Sequence, residues 1–120
     1  MDEISSVRYQ NGMALINELK DVKDIILPDI LRNTMPAFNR MPVVFRDPAE
    51  RDKVERGLWQ AGIETSRMYI MPLHHMFDLG YEKEEFPNAE YFAEHLLTLP
   101  VHPLVRREDL SKMIRVIKER

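Results

Sequence analysis

MPVVFRDPAERDKVERGLWQAGI, residues 41–63, carries in one stretch a strand, a helix start and a helix stop. Val43, Val44 and Phe45 favour a pleated, half-buried surface, and Pro42 places that strand at an edge or at its own beginning. Asp47 can accept from free helical N–H groups, Pro48 fits the first helical position, and Glu50 completes a D-x-x-E capping box. Val54, Leu58 and Ala61 then recur as one apolar stripe, and Gly62 supplies the residue that turns left-handed after the last turn. The stretch predicts a strand at MPVVFR followed by a helix over Pro48–Ala61.

On the N-terminal side, Ile4, Val7, Leu15, Ile16 and Leu19 recur at helical intervals and predict a helix from Glu3 to Lys20, with Gly12 inside it. DIILP, Asp24 to Pro28, reads as a short strand stopped by proline, and RNTMPAF reads as a connection. On the C-terminal side, alternation predicts a strand from Ile63 to about Ile70, followed by a loop at Pro72. PNAEYFAEHLL predicts a helix opened by Pro87, with Ala89, Phe92, Ala93 and Leu96 on one face. LTLPVHPLV is too rich in proline to continue that helix and reads as a short strand and a connection. A last helix carries Leu110, Met113, Ile114 and Ile117 on one face. Glu108 and Asp109 begin it, and Lys118 and Arg120 end it, as the helix dipole prefers. Helices alternating with short strands give an α/β or α+β domain, a small sheet covered by helices on one side.

At 120 residues the chain is long enough for one core. Apolar residues make up 44% and charged residues 31%, which excludes a disordered or collagen-like chain. With 17 basic and 20 acidic residues the net charge is −3, and no run of five like charges occurs, so nucleic acid is not an expected partner. There is no cysteine, which removes disulfides, thiolate nucleophiles and cysteine-based zinc sites. No window approaches the roughly 20 apolar residues of a membrane span, and a cytoplasmic protein is expected.

The densest chemistry lies in IETSRMYIMPLHHM, residues 63–76. Met68, Met71, His74, His75 and Met76 offer thioether and imidazole ligands of the kind a soft ion takes. Methionines more often fill irregular gaps in a core, and adjacent histidines in an extended segment point to opposite sides, so no shared metal ion is expected. His95 and His102 add no zinc spacing, and Ser66 and Thr98, the nucleophile candidates, stand in no local catalytic signature. Four glycines in no phosphate-binding pattern make a nucleotide-cradling loop implausible.

RDKVERGLWQAGIETSRMYIMPLHHM, residues 51–76, and FPNAEYFAEHLLTLPVHPLVRREDLSKMIRVI, residues 86–117, resemble the C-terminal domain of the DegT/DnrJ/StrS family of pyridoxal-phosphate-dependent sugar aminotransferases. Arg51 and Asp52 open the helix as in that family, and Gly62 with Ile63 matches its "aGI". Tyr69, Pro72, Leu73 and His74 fit "hYp-x-PLH", and Phe86, Pro87, Ala89 and Glu90 fit "fPxAE". Met68 and Ile70 stand where the family often has histidine and proline. The match runs from about residue 38 to 118, and the first twenty residues resemble the connecting helix that precedes this domain.

The resemblance implies a connecting helix over residues 1–22 and a small domain over 23–120, with a mainly antiparallel sheet as in the small domain of fold-type I aminotransferases. It also implies that the Schiff-base lysine, the phosphate cup and the partner of the pyridine nitrogen belong to a large N-terminal domain that these residues do not supply. Lys20, Lys23, Lys53, Lys83, Lys112 and Lys118 stand in polar settings, unlike a lysine whose pKa is lowered for nucleophilic attack. The chain is therefore expected to hold no catalytic, cofactor-binding or metal-binding residue of its own and to be inactive alone. Tyr69 and His74 are expected to face the cleft of the complete enzyme, whose partners are a sugar nucleotide and an amino donor. A homodimer is compatible with the resemblance. The alternative is a free-standing α/β module that binds a ligand or protein without catalysis; full packing of Ile4, Val7 and Leu15 within the chain would favour it.

Overall fold

The computed structural model describes residues 2–120. Helix α1 (Glu3–Leu19) starts where the Asp2 carboxylate accepts from the Ser5 N–H at 2.7 Å. Strand β1 (Ile25–Ile26) and strand β2 (Met41–Phe45) follow, then helix α2 (Pro48–Gln60), the single turn α3 (Leu73–Met76), helix α4 (Pro87–His95), strand β3 (Leu96–Leu99) and helix α5 (Arg107–Lys118). The strands form one antiparallel sheet in the order β1-β2-β3, with Ile25 opposite Phe45 and Val43 opposite Leu97. The fold is the expected α+β domain, a small antiparallel sheet flanked by helices.

Pro42 sits in the central strand, opposite Thr98 of β3. It is tolerated because β1 pairs only with Val44 and Phe45, so no β1 carbonyl waits for the N–H that proline lacks. Leu15 and Leu19 of α1, Val43 and Phe45 of β2, Val54 and Leu58 of α2, Leu97 and Leu99 of β3, and Met113 and Ile117 of α5 meet in one fully buried core. Strand β3 is buried along its whole length, on both faces rather than one. Gly12 has a packing reason: a Cβ there would fall 2.4 Å from a ring carbon of Phe38, which closes over α1.

Three expectations are corrected. The predicted strand from Ile63 to Ile70 is reduced to one bridge, Ser66 to Thr98. Met68 takes a left-handed φ of 60°, which ends extended pairing, and Arg67 is drawn toward α2 rather than along the sheet. The helix predicted over PNAEYFAEHLL stops at His95, because Leu96 and Leu97 pair with Val44 and Val43. Asp47 does cap α2, accepting from the Ala49 N–H at 2.9 Å, but Glu50 leaves the capping box unmade and points instead to Arg120, 3.3 Å away.

Candidate functional site

Two arginines organise the segment that follows α2. Arg51 is buried on α2, donates to the Ala93 carbonyl of α4 at 2.9 Å, and pairs with Asp52 at 3.0 Å. Arg67 makes a bidentate contact with Glu55 at 2.7 and 2.8 Å and reaches Asp52 at 3.3 Å. The fork geometry of guanidinium and carboxylate accounts for this pairing, and the Glu55 hydrogen bonds hold the Arg67 proton more firmly than usual. The chain is thereby fastened to α2 just before it leaves the body of the domain.

Beyond Arg67 the backbone turns tightly, with the Tyr69 N–H donating to the Arg67 carbonyl at 2.7 Å and the Met68 N–H to the Ser66 hydroxyl at 3.0 Å. From there to Phe92 the surface is strongly apolar. Ile70 is 86% exposed, Leu73 62%, Phe77 57%, Tyr69 55% and Met76 53%. Among the described residues, twelve of the eighteen exposed large apolar or aromatic side chains fall between Met68 and Phe92. Exposed apolar side chains at that density on a folded domain mark a segment that another body covers.

The two sequence-predicted site residues part company here. Tyr69 projects outward, half exposed. The His74 side chain is turned in, only 4% exposed, and its ring meets Phe86 edge to face at 4.9 Å. His75, expected to point away from His74, lies beside it with ring centroids 4.3 Å apart, because residues 73–76 form a helical turn instead of an extended loop. Nε2 of His74 and Nε2 of His75 both donate to the Lys83 carbonyl, at 2.9 and 2.7 Å. Glu90, at the start of α4, brings a carboxylate oxygen to 3.1 Å from His75 Nε2 and 3.6 Å from His74 Nε2. The geometric reason for expecting no shared ion at these histidines therefore fails.

The other candidates are held within the fold. The Thr98 hydroxyl donates to the Ser66 carbonyl at 2.9 Å and accepts from Arg40 at 2.7 Å. His95 donates through Nδ1 to the Phe45 carbonyl at 2.6 Å and stacks on Tyr91. Sequence reading missed Glu90 and Lys83 as partners of the histidines. The match of Glu90 to the "fPxAE" pattern was a signal, but it carried no information about distance.

The family model described as the DegT/DnrJ/EryC1/StrS aminotransferase family matches residues 1–118. The erythromycin biosynthesis sensory transduction protein EryC1 of Saccharopolyspora erythraea is 36% identical over 122 residues, covering 98% of this chain and 32% of that protein. A UDP-N-acetyl-3-dehydro-alpha-D-glucosamine 3-aminotransferase of Acidithiobacillus ferrooxidans is 27% identical over 96 residues, covering 79% of this chain and 25% of that protein. Among solved structures, S. venezuelae DesV in complex with a ketimine intermediate superposes with a TM-score of 0.87 at 25% identity, covering 98% of this chain and 32% of DesV. The chain thus spans about a third of the length of the relatives it matches.

Proposed function

The chain belongs to the DegT/DnrJ/EryC1/StrS aminotransferase family, and we propose that it serves as the C-terminal small domain of a cytoplasmic, pyridoxal-phosphate-dependent aminotransferase acting on keto sugar nucleotides. The observation that carries this reading is the concentration of exposed large apolar side chains between Met68 and Phe92. Residues 1–22 act as the connecting helix. The segment bearing Tyr69 and His74 closes over the cleft, with Tyr69 offering its hydroxyl and His74 fixing the turn behind it. The free-standing alternative finds less support: Leu15 is fully buried, but Val7 is only partly covered and Ile4 is 58% exposed.

The residues present do not by themselves fit the cofactor. Lys20, Lys23, Lys53, Lys83 and Lys118 are exposed and Lys112 is half-buried, so none has the desolvated setting of a Schiff-base lysine. Gly62 and Gly80, the glycines with positive φ, have nothing packed above them and form no phosphate cradle. Catalysis by this reading requires residues outside the chain. Mixing the 120-residue chain with pyridoxal phosphate and reducing with borohydride should give scattered surface adducts only. One stoichiometric adduct on a single lysine would overturn the reading.

A further inference from the structure

We propose that His74, His75 and Glu90 form a zinc site that clips the exposed segment after α2 to helix α4. Nε2 of His74, Nε2 of His75 and a carboxylate oxygen of Glu90 all lie within 4.8 Å of one another. In a tetrahedral zinc site with bonds of about 2.0–2.1 Å, neighbouring ligand atoms stand roughly 3.4 Å apart. The Glu90 oxygen is already 3.1 and 3.6 Å from the two nitrogens. Side-chain rotations that bring the two imidazole nitrogens, now within 4.8 Å of each other, to that spacing would complete the set, with the Lys83 carbonyl or a water in the fourth position. Two imidazoles and one carboxylate are a donor set that suits zinc, and three protein ligands are a recurrent number for it.

The surroundings favour an ion rather than a chance cluster. The side chains of His74, His75 and Glu90 are 4%, 17% and 26% exposed, so the donors are partly desolvated, while Phe86 against His74 restrains one ring. An open groove of about 310 Å³, whose polar lining is His75, Lys83, Glu84, Glu90 and Glu94, leads to the cluster. Three of those five residues are carboxylates, which outweigh the single Lys83 ammonium. In the metal-free protein the Lys83 carbonyl accepts hydrogen bonds from both Nε2–H groups. On binding, each neutral imidazole moves its proton to Nδ1 and turns the Nε2 lone pair to the ion.

The ion would join three places that little else connects: the turn α3, the backbone at residue 83 and the first turn of α4. Among the described residues, that four-residue turn is the only helix between Gly62 and Phe86, and the sheet reaches this stretch only at the Ser66 bridge. Segments of that length in compact domains are held by such devices or are mobile. This inference rests on the chain's own side chains and is independent of the proposed activity.

Its test uses the metal-free 120-residue chain, titrated calorimetrically with Zn²⁺ and, for spectroscopy, with Co²⁺. One equivalent of zinc should bind, raising the melting temperature, and cobalt should show the strong visible bands of tetrahedral coordination. Glu90→Gln and His75→Gln should each weaken zinc by about 100-fold or more, since even supporting residues around a metal cost 10–100-fold. Glutamine at 75 keeps a donor for the Lys83 carbonyl, so folding is preserved. His102→Gln, remote from the cluster, should change nothing. Absence of stoichiometric zinc binding, or full retention of it in either the Glu90 or the His75 variant, overturns the proposal.

Discussion

Replacing Phe45 by alanine is expected to lower the unfolding free energy of the chain by about 3–5 kcal/mol, the cost of emptying a phenylalanine's place in a packed core. Phe45 ends the central strand with none of its surface exposed. Ile25 lies opposite it across the sheet, and the Arg120 guanidinium stands 5.9 Å from the ring centre. Arg120 also donates to the Lys23 and Ile117 carbonyls, at 2.7 and 2.8 Å, so the ring lies under a clamp between the β1 approach and α5. The Phe45 carbonyl, which accepts from His95, survives the substitution, so the expected loss is that of the ring's packing and of its contact with Arg120. Set against the roughly 5–15 kcal/mol that holds a typical domain together, it is a large fraction. Urea unfolding measures it; a loss below about 1 kcal/mol would mean that β2 does not organise the core. Ile70→Ala, at a position 86% exposed, should by contrast stay within about 0.5 kcal/mol in the chain alone.

The second large effect belongs to the complete enzyme. In a full-length aminotransferase carrying this domain, Tyr69→Phe is expected to reduce turnover about 100-fold, the cost of misplacing one orienting group at a closing cleft. Thermal stability should hardly change, because Tyr69 is 55% exposed and adds little to packing within the domain. His74→Ala should reduce turnover and also loosen the domain, since its ring is inserted against Phe86 and its Nε2 donates to the Lys83 carbonyl. Steady-state rates per folded molecule, read beside melting temperatures, separate the two roles. Full turnover in both variants with lost stability would assign these residues to packing.

How far the sequence reveals this molecule depends on where the determining contacts lie. Helix α2 was legible almost to the residue because its signals are local: Asp47 before it, Pro48 at its first position and Gly62 after it. Strand β2 was legible for the same reason, in three successive β-favouring residues. The segment after Gly62 was not. Alternation there promised a strand, but its geometry is set by Arg67 reaching twelve residues back to Glu55, and propensity contains no such term. The neighbourhood of His74, His75 and Glu90 was hidden likewise, because adjacent histidines diverge or converge according to whether their backbone is extended or helical. The family resemblance singled out Tyr69, Pro72 and His74 as a motif, but a motif carries no distances and did not show that His74 turns inward against Phe86.

By the proposed function, the exposed apolar side chains after Arg67 are covered by the rest of an aminotransferase. Methionine oxidation tests it directly, because Met68, Met71 and Met76 are 55%, 41% and 53% exposed in that segment, while Met41 and Met113 are fully buried in the core. Peroxide labelling read by mass spectrometry would compare the chain alone with the same chain joined to the family's large domain. The three surface methionines should oxidise rapidly in the chain alone and, in the joined protein, at rates lowered toward those of Met41 and Met113. Equal rates at Met68, Met71 and Met76 in the two contexts would contradict it.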